Sequence, residues 1–200
     1  MKILGIGNAI VDVLCKVSDE FLEKNSLTKS TMKLIDEEEF KKLISLLKIE
    51  ETIPGGSVAN SIVGLSKLNN EVGFVGKVSD DDLGQKYEDG LQKENIRYLY
   101  NKKKEPIPTG SCIILITPDS ERTMCTFLGI AGKINEHDIN ISAIKKSEII
   151  FFEGYLWDEG EPKKAFEKVI QNNIKRALRI FILNQWYLKV IYRMLSLCIH

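Results

Sequence analysis

Residues 54–61 read Pro54-Gly55-Gly56-Ser57-Val58-Ala59-Asn60-Ser61. Two adjacent glycines let the backbone turn tightly and let a ligand approach it closely. The run that follows repeats apolar residues at Val58, Ile62, Leu65 and Leu68, which predicts a helix over Val58–Leu68. A helix start offers free N–H groups, and Asn60 in the first turn falls opposite the apolar face, toward whatever lies over the glycine pair. A tight turn with a helix N-cap explains the same residues without a ligand, and from these residues alone the two readings stand level.

Working outward, strands and helices alternate. Lys2–Gly7 reads as a buried strand, and Ile10–Val17 as a second with Val11, Val13 and Cys15 on one face and Asp12 on the other. A short helix is expected at Asp19–Asn25, an extended segment at Thr31–Ile35, and a helix Glu37–Lys48 capped by Asp36. Beyond the glycine pair come a strand Val72–Gly76 and a helix Asp81–Glu94. Ile96–Tyr100, Ser111–Thr117 and Arg122–Phe127 read as three antiparallel strands, the last two joined by the turn Pro118-Asp119-Ser120. Ile149–Phe152 is a buried strand and Lys163–Asn172 a helix. The pattern is that of an α/β protein: a mostly parallel sheet flanked by helices, with a small antiparallel sheet added.

Three further places could carry chemistry. Gly5-Ile6-Gly7-Asn8 begins like a dinucleotide fingerprint, but GxGxxG needs glycine where Ile10 stands. Asn8 and Asp12 instead offer an amide and a carboxylate suited to the hydroxyls of a polyol; turn support by Asn8 and a solvent-facing Asp12 is the plainer alternative. In Phe151-Phe152-Glu153-Gly154-Tyr155 an acid stands at the C-terminal end of a buried strand, where parallel α/β sheets bind ligands. Asp80, Asp81 and Asp82 before a helix complement its dipole and need no further role.

Composition narrows the classes. The chain is 44% hydrophobic and 28% charged, with 28 Lys+Arg against 28 Asp+Glu, so no net field attracts nucleic acid. Cys15, Cys112, Cys125 and Cys198 form no CxxC pair and have only His137 and His200 beside them, so no metal site is expected and the thiols read as reduced, in a cytoplasmic protein. Gly5, Gly7, Asn8 and Asp12 break the apolar N-terminus, and no stretch reaches the roughly 18 apolar residues of a membrane span.

Charge is distributed unevenly. After Glu167 come six Lys/Arg and no acid, which leaves 22 basic and 28 acidic residues, a net of −6, in the first 167. From Ile174 to His200, 18 of 27 residues are apolar or aromatic, without glycine, proline or a clean helical stripe. Such a segment reads as a helix for a membrane surface or partner, or as the product of a shifted reading frame.

Taken together, Gly7-Asn8-Ala9-Ile10-Val11-Asp12, the 54–61 segment and Gly76-Lys77-Val78-Ser79-Asp80-Asp81-Asp82-Leu83-Gly84 resemble the PfkB (ribokinase-like) sugar and nucleoside kinases. So do Pro108-Thr109-Gly110-Ser111, Pro118-Asp119-Ser120-Glu121-Arg122-Thr123 and Glu153-Gly154-Tyr155-Leu156, the first and last most like the bacterial adenosine-kinase branch. The resemblance implies a truncated kinase domain over 1–173 with a β lid formed by about 10–17, 31–35 and 96–127, the C-terminal half missing, and a frameshifted basic apolar tail over 174–200. It implies that Asp12 binds two substrate hydroxyls, Asn60 a third, that Gly55 and Gly56 line the sugar beside Asn8, and that Arg122, Glu153 and Tyr155 border the cleft. The intact family transfers the ATP γ-phosphate to an alcohol with Mg²⁺.

The family's catalytic Asp lies in a Gly-Ala-Gly-Asp motif, and no glycine follows Gly160; Asn184 is followed three residues later by Tyr187 and not by the Glu of the family's Asn-x-x-Glu motif. No catalytic residue is therefore expected in this chain, nor productive binding of ATP and Mg²⁺. The partner expected is a small sugar or nucleoside, with a homodimer through the lid as a further possibility. A non-catalytic remnant that binds a polyol or nucleoside, or an interaction module built on the tail, is the alternative.

Overall fold

The computed structural model describes residues 1–154, 160–172 and 179–183, the last as backbone. Two five-stranded sheets share the chain. The first contains β1 (Ile3–Ile6), β5 (Val72–Val75), β6 (Arg97–Tyr98), β9 (Ile149–Glu153) and β10 (Arg179–Leu183), all parallel in the order β10-β9-β1-β5-β6. On one face, α3 (Ser57–Lys67) packs on β1, β5 and β9, placing Val58 and Ile62 against the sheet. On the other face, α5 (Ile141–Lys146) and α6 (Glu161–Gln171) bring Ile144, Phe166 and Val169 over Leu4, Ile150 and Phe152. Both faces are covered, so the strands read as unbroken apolar runs.

The second sheet, the lid, joins β2 (Ile10–Lys16), β3 (Met32–Leu34), β4 (Ile49–Gly55), β7 (Gly110–Ile116) and β8 (Arg122–Phe127) in the order β3-β8-β7-β2-β4. Alternation settles its faces: Val11, Val13, Cys15, Ile113, Leu115 and Cys125 are buried, and the core they form continues down to Phe74 and Tyr87. Against that underside lie α1 (Asp19–Lys24) and α2 (Glu37–Ser45), through Leu22 and Leu43.

Several expectations are corrected here. The lid is mixed and not antiparallel, because β2 pairs with β7, and β3 with β8, in parallel. Ile96–Tyr100 does not belong to it: β6 pairs with β5 in parallel, since α4 (Asp82–Lys93) makes the connection a β-α-β crossover. The missing lid strand is β4, antiparallel to β2, and α2 ends at Ser45 to make room for it. Leu68 leaves the apolar face of α3 and stands 73% exposed at its C-cap. The proposed tail lies outside the described residues except for β10, which runs beside β9 where no element was expected.

Two polar clusters fix the crossover from β6 to β7. Asp81 caps α4 by accepting from the Gly84 N–H at 2.8 Å, and also accepts from the Thr109 N–H at 2.9 Å and hydroxyl at 2.7 Å. The dipole role expected for the acidic run is met by this cap. A Cβ on Gly84 would overlap the Ser79 carbonyl. Gly84→Ala should therefore cost about 1–3 kcal/mol through overpacking, although alanine is the better helix former. A urea midpoint equal to or above that of the wild type would refute this. The second cluster is ionic: Lys77 Nζ lies 3.3 Å from Glu105 and 3.2 Å from Asp138, and all three side chains are less than a tenth exposed.

Candidate acceptor site

At the C-terminal ends of β1 and β9 the chain leaves the main sheet through Gly7-Asn8-Ala9 and enters β2. Asp12 follows on the lid face opposite Val11 and Val13, with Ile53 of β4 and Cys112 of β7 as its cross-strand neighbours. A Cβ on Gly55 would overlap the Asp12 carboxyl, so only glycine lets that carboxylate lie against the backbone. Gly56 has φ +101°, and a Cβ there would stand 2.5 Å from the Asn8 carbonyl oxygen. The glycine pair is thus required by conformation at one position and by close approach at both.

Asp12 is half-buried, and no hydrogen bond or ion pair among the described residues engages its carboxylate. Burial pushes its pKa up to about 6. One turn into α3, Asn60 is exposed and gives its N–H to the Gly56 carbonyl at 2.9 Å. Beneath them Asn8 is buried, and its Oδ1 accepts no hydrogen bond from the described residues.

Glu153 is 3% exposed. Its carboxylate accepts from the Asn8 N–H and, at 2.6 Å, from the Ser57 hydroxyl. The Ser57 N–H also turns to it, and α3 begins at Ser57 with no side-chain cap of its own. Burial raises the Glu153 pKa, and these donors oppose the rise.

The structure therefore gathers Asp12, Gly55, Gly56 and Asn60, with Asn8 and Glu153 supporting them from below. Arg122 is elsewhere: it starts β8 opposite Ile116, at the hairpin end of the lid, while Asp12 is level with Cys112 and Thr126. Tyr155 lies outside the described residues. Sequence reasoning missed Cys112, whose thiol accepts from the Thr126 hydroxyl at 3.2 Å beside Asp12, and whose pKa burial pushes up to about 11. It also missed Ser57 as a donor. Alternation along β7 would have put Cys112 on the Asp12 face once the two strands were known to pair.

Among the described residues no group of three or more His, Cys, Asp or Glu could hold a metal ion. No helix among the described residues is long and apolar enough to cross a membrane.

Comparisons with known proteins place the fold in a family. The profile of the pfkB family carbohydrate kinases matches residues 25–199. The 5-dehydro-2-deoxygluconokinase of Mesomycoplasma hyopneumoniae strain 232 is 29% identical over 118 residues, 58% of this chain and 35% of that protein. The adenosine kinase of Schizophyllum commune is 25% identical over 167 residues, 80% of this chain and 48% of that protein. In three dimensions, the adenosine kinase of Sinorhizobium meliloti superposes with a TM-score of 0.83 at 30% identity, covering 96% of this chain and 59% of that one. The chain thus spans between a third and three-fifths of the length of these relatives. With an α/β ribokinase-like fold, a parallel sheet flanked by helices and the family profile over most of its length, the chain belongs to the pfkB family of carbohydrate kinases.

Proposed function

We propose that the chain holds the alcohol acceptor of a sugar or nucleoside phosphotransferase, with Asp12 and Asn60 binding its hydroxyls over the Gly55–Gly56 step. The observation that carries this reading is the unpartnered, half-buried Asp12 carboxylate laid against a glycine backbone. A desolvated carboxylate without a protein donor is costly unless a ligand supplies one. The buried Asn8 Oδ1 requires a donor in the same region. PfkB kinases use ATP and Mg²⁺; the described residues of this chain supply acceptor contacts only.

Between the two acceptor classes, the lid favours a nucleoside. On its open face Asp12 shares a cross-strand row with Leu34, Thr126, Cys112 and Ile53, and the next row holds Met32, Met124, Ile114 and Leu14 with Glu51 at its edge. An apolar face beside a hydroxyl-binding carboxylate suits a flat base joined to a ribose better than a hexose. Exposed Met32 and Leu34 on the outer strand also support pairing of two lids in a homodimer, which sedimentation of the full chain tests.

Calorimetry tests the acceptor reading. Adenosine should bind more tightly than ribose, and Asp12→Ala should remove about 1.5–3 kcal/mol of the binding free energy as its charge-assisted bonds are lost. Wild-type binding should weaken as pH falls through about 6, because protonated Asp12 loses acceptor capacity. Equal affinity of wild type and Asp12→Ala refutes the assignment.

The second reading is a silent remnant that binds a polyol or nucleoside without transferring phosphate. It is favoured by the change of composition at residue 174, against which stand the family profile, which runs to residue 199, and the pairing of β10 with β9. Nucleotide sequence past codon 173 is expected to continue in another frame into a Gly-Ala-Gly-Asp stretch; that stretch in the present frame overturns the shift.

A further inference from the structure

We infer that Glu153 serves the acceptor site without touching the acceptor: it is the positioning residue that ties the Gly7–Asn8 turn and the start of α3 to the end of β9. The functional consequence, though not the tie itself, rests on the acceptor reading above.

Both carboxylate oxygens are already used. Oε2 takes the Asn8 N–H and Oε1 the Ser57 hydroxyl, with the Ser57 N–H directed to the same group. With the side chain almost fully buried and a donor on each oxygen, little of the carboxylate is left open to a ligand hydroxyl. Their placement explains what the tie does. Asn8 stands four residues before Asp12, and Ser57 directly after Gly56 and three residues before Asn60. Every ligand-facing group of the site is therefore carried by one of the two segments that Glu153 holds.

Among the described residues, no other carboxylate accepts a hydrogen bond from the start of α3. The N-cap of α3, Gly56, has no side chain to cap it, so β9, one of the strands on which α3 packs, supplies the acceptor that a local Ser, Thr or Asp ordinarily gives. The space is fitted to it as well: a Cβ on Gly7 would stand 2.9 Å from Glu153 Oε2. The Asn8 main-chain N–H, which no substitution can remove, and the Ser57 hydroxyl converge on one buried carboxylate. Charge-assisted bonds of this sort are stronger than neutral ones and fix geometry.

Two measurements on the full chain test the inference. The first is amide hydrogen exchange in Glu153→Gln, which loses the charge and keeps one acceptor oxygen, so that the Ser57 hydroxyl must turn to accept from the new NH₂. Protection at Asn8 and Ser57 should fall about tenfold or more, while Met124 and Cys125 in the lid hairpin keep theirs. Unchanged protection at Asn8 and Ser57 overturns the inference. Should Glu153→Gln fail to fold, Ser57→Ala removes one donor alone and should lower protection at Ser57 and Asn60 but not in the hairpin; no change there overturns it equally.

The second measurement crosses each protein variant with ligand variants. Glu153→Gln should weaken adenosine and its 2′- and 3′-deoxy analogues by the same factor, again about tenfold, since it acts on all contacts through position. Asp12→Ala should instead lose most on the ligands that keep the hydroxyls it binds. A Glu153→Gln loss that vanishes for one deoxy analogue means direct contact and overturns the positioning role. If wild type binds none of these ligands, the acceptor reading falls, and the exchange experiment still decides what Glu153 holds.

Discussion

Replacing Lys77 by Met should destabilise the fold by about 3–5 kcal/mol, the cost of leaving buried carboxylates without their cation. Lys77 follows Gly76 at the end of β5, and its ammonium lies 3.3 Å from Glu105 and 3.2 Å from Asp138. The three groups belong to the main sheet, the crossover into the lid and the 3-10 turn Glu136–Asp138. Each carboxylate has one neutral donor besides: the Tyr100 hydroxyl gives to Glu105 at 2.9 Å, and the Asn135 N–H to Asp138 at 2.9 Å. Lys103, 3.6 Å from Glu105, is 62% exposed and so weakly effective. Without Lys77, Asp138 and Glu105 face each other across a site that water barely reaches.

The sign of the pH dependence follows. Burial by itself would raise the Glu105 pKa, but the Tyr100 hydroxyl and the Lys77 charge together hold it below the ordinary value. A depressed carboxylate contributes stability that is fully present above its unfolded pKa and is lost as pH falls through the folded one. The gap between wild type and Lys77→Met should therefore be widest near neutrality and narrow below about pH 4, where the carboxyls protonate and need no counter-charge. Adding Glu105→Gln to Lys77→Met should recover part of the loss. Urea denaturation measures all three effects, and a loss under about 1 kcal/mol at pH 7, or no recovery in the double variant, contradicts the account.

None of this ion cluster could be read from the sequence. Glu105 and Asp138 lie far along the chain from Lys77, and nothing in the local pattern of charge distinguishes them from solvated residues. The main-sheet strands, by contrast, were legible because burial on both faces leaves unbroken runs such as Ile149–Phe152. β4 was hidden for the opposite reason: as a lid edge it exposes Glu50 and Glu51, and Pro54 is tolerated there only because the edge needs no ladder donor. Ile96–Tyr100 had strand character, but strand character does not say which sheet will take it; the intervening helix decided that.

The site was legible in part for similar reasons. Asp12, the glycine pair and Asn60 could be found because their peculiarity is local: a polar residue on an alternating strand, and glycines where a chain must turn. The inward aim of Glu153 could not, since it depends on Asn8 and Ser57 arriving from two other elements. Arg122 was drawn into the cleft by its neighbours in sequence, yet strand register carries it to the other end of the lid.

The largest effect expected is an absence: purified 200-residue chain with Mg·ATP should transfer no phosphate to adenosine, ribose or fructose. In-line transfer needs the acceptor hydroxyl, the γ-phosphate and the metal held together, with a base at the hydroxyl. The resemblance assigns the base to the Asp of a Gly-Ala-Gly-Asp motif, and no glycine follows Gly160 in this sequence. Glu153 cannot stand in for it. Its carboxylate is bonded to Asn8 and Ser57, and a base must be free to take the acceptor's proton. Asp12 binds hydroxyls in the proposed arrangement, which fixes the acceptor but leaves the phosphate unopposed by any donor set among the described residues. Loss of general-base help costs roughly 10²–10⁴-fold. Loss of preorganised donors at the developing charge costs about 10²–10³-fold more. Together they lower the rate about 10⁴–10⁷-fold even if ATP binds. The assay follows labelled γ-phosphate into product over hours. Transfer that scales with protein and disappears in Asp12→Ala would show that residues 184–200, or others outside the described set, complete a catalytic centre in this chain.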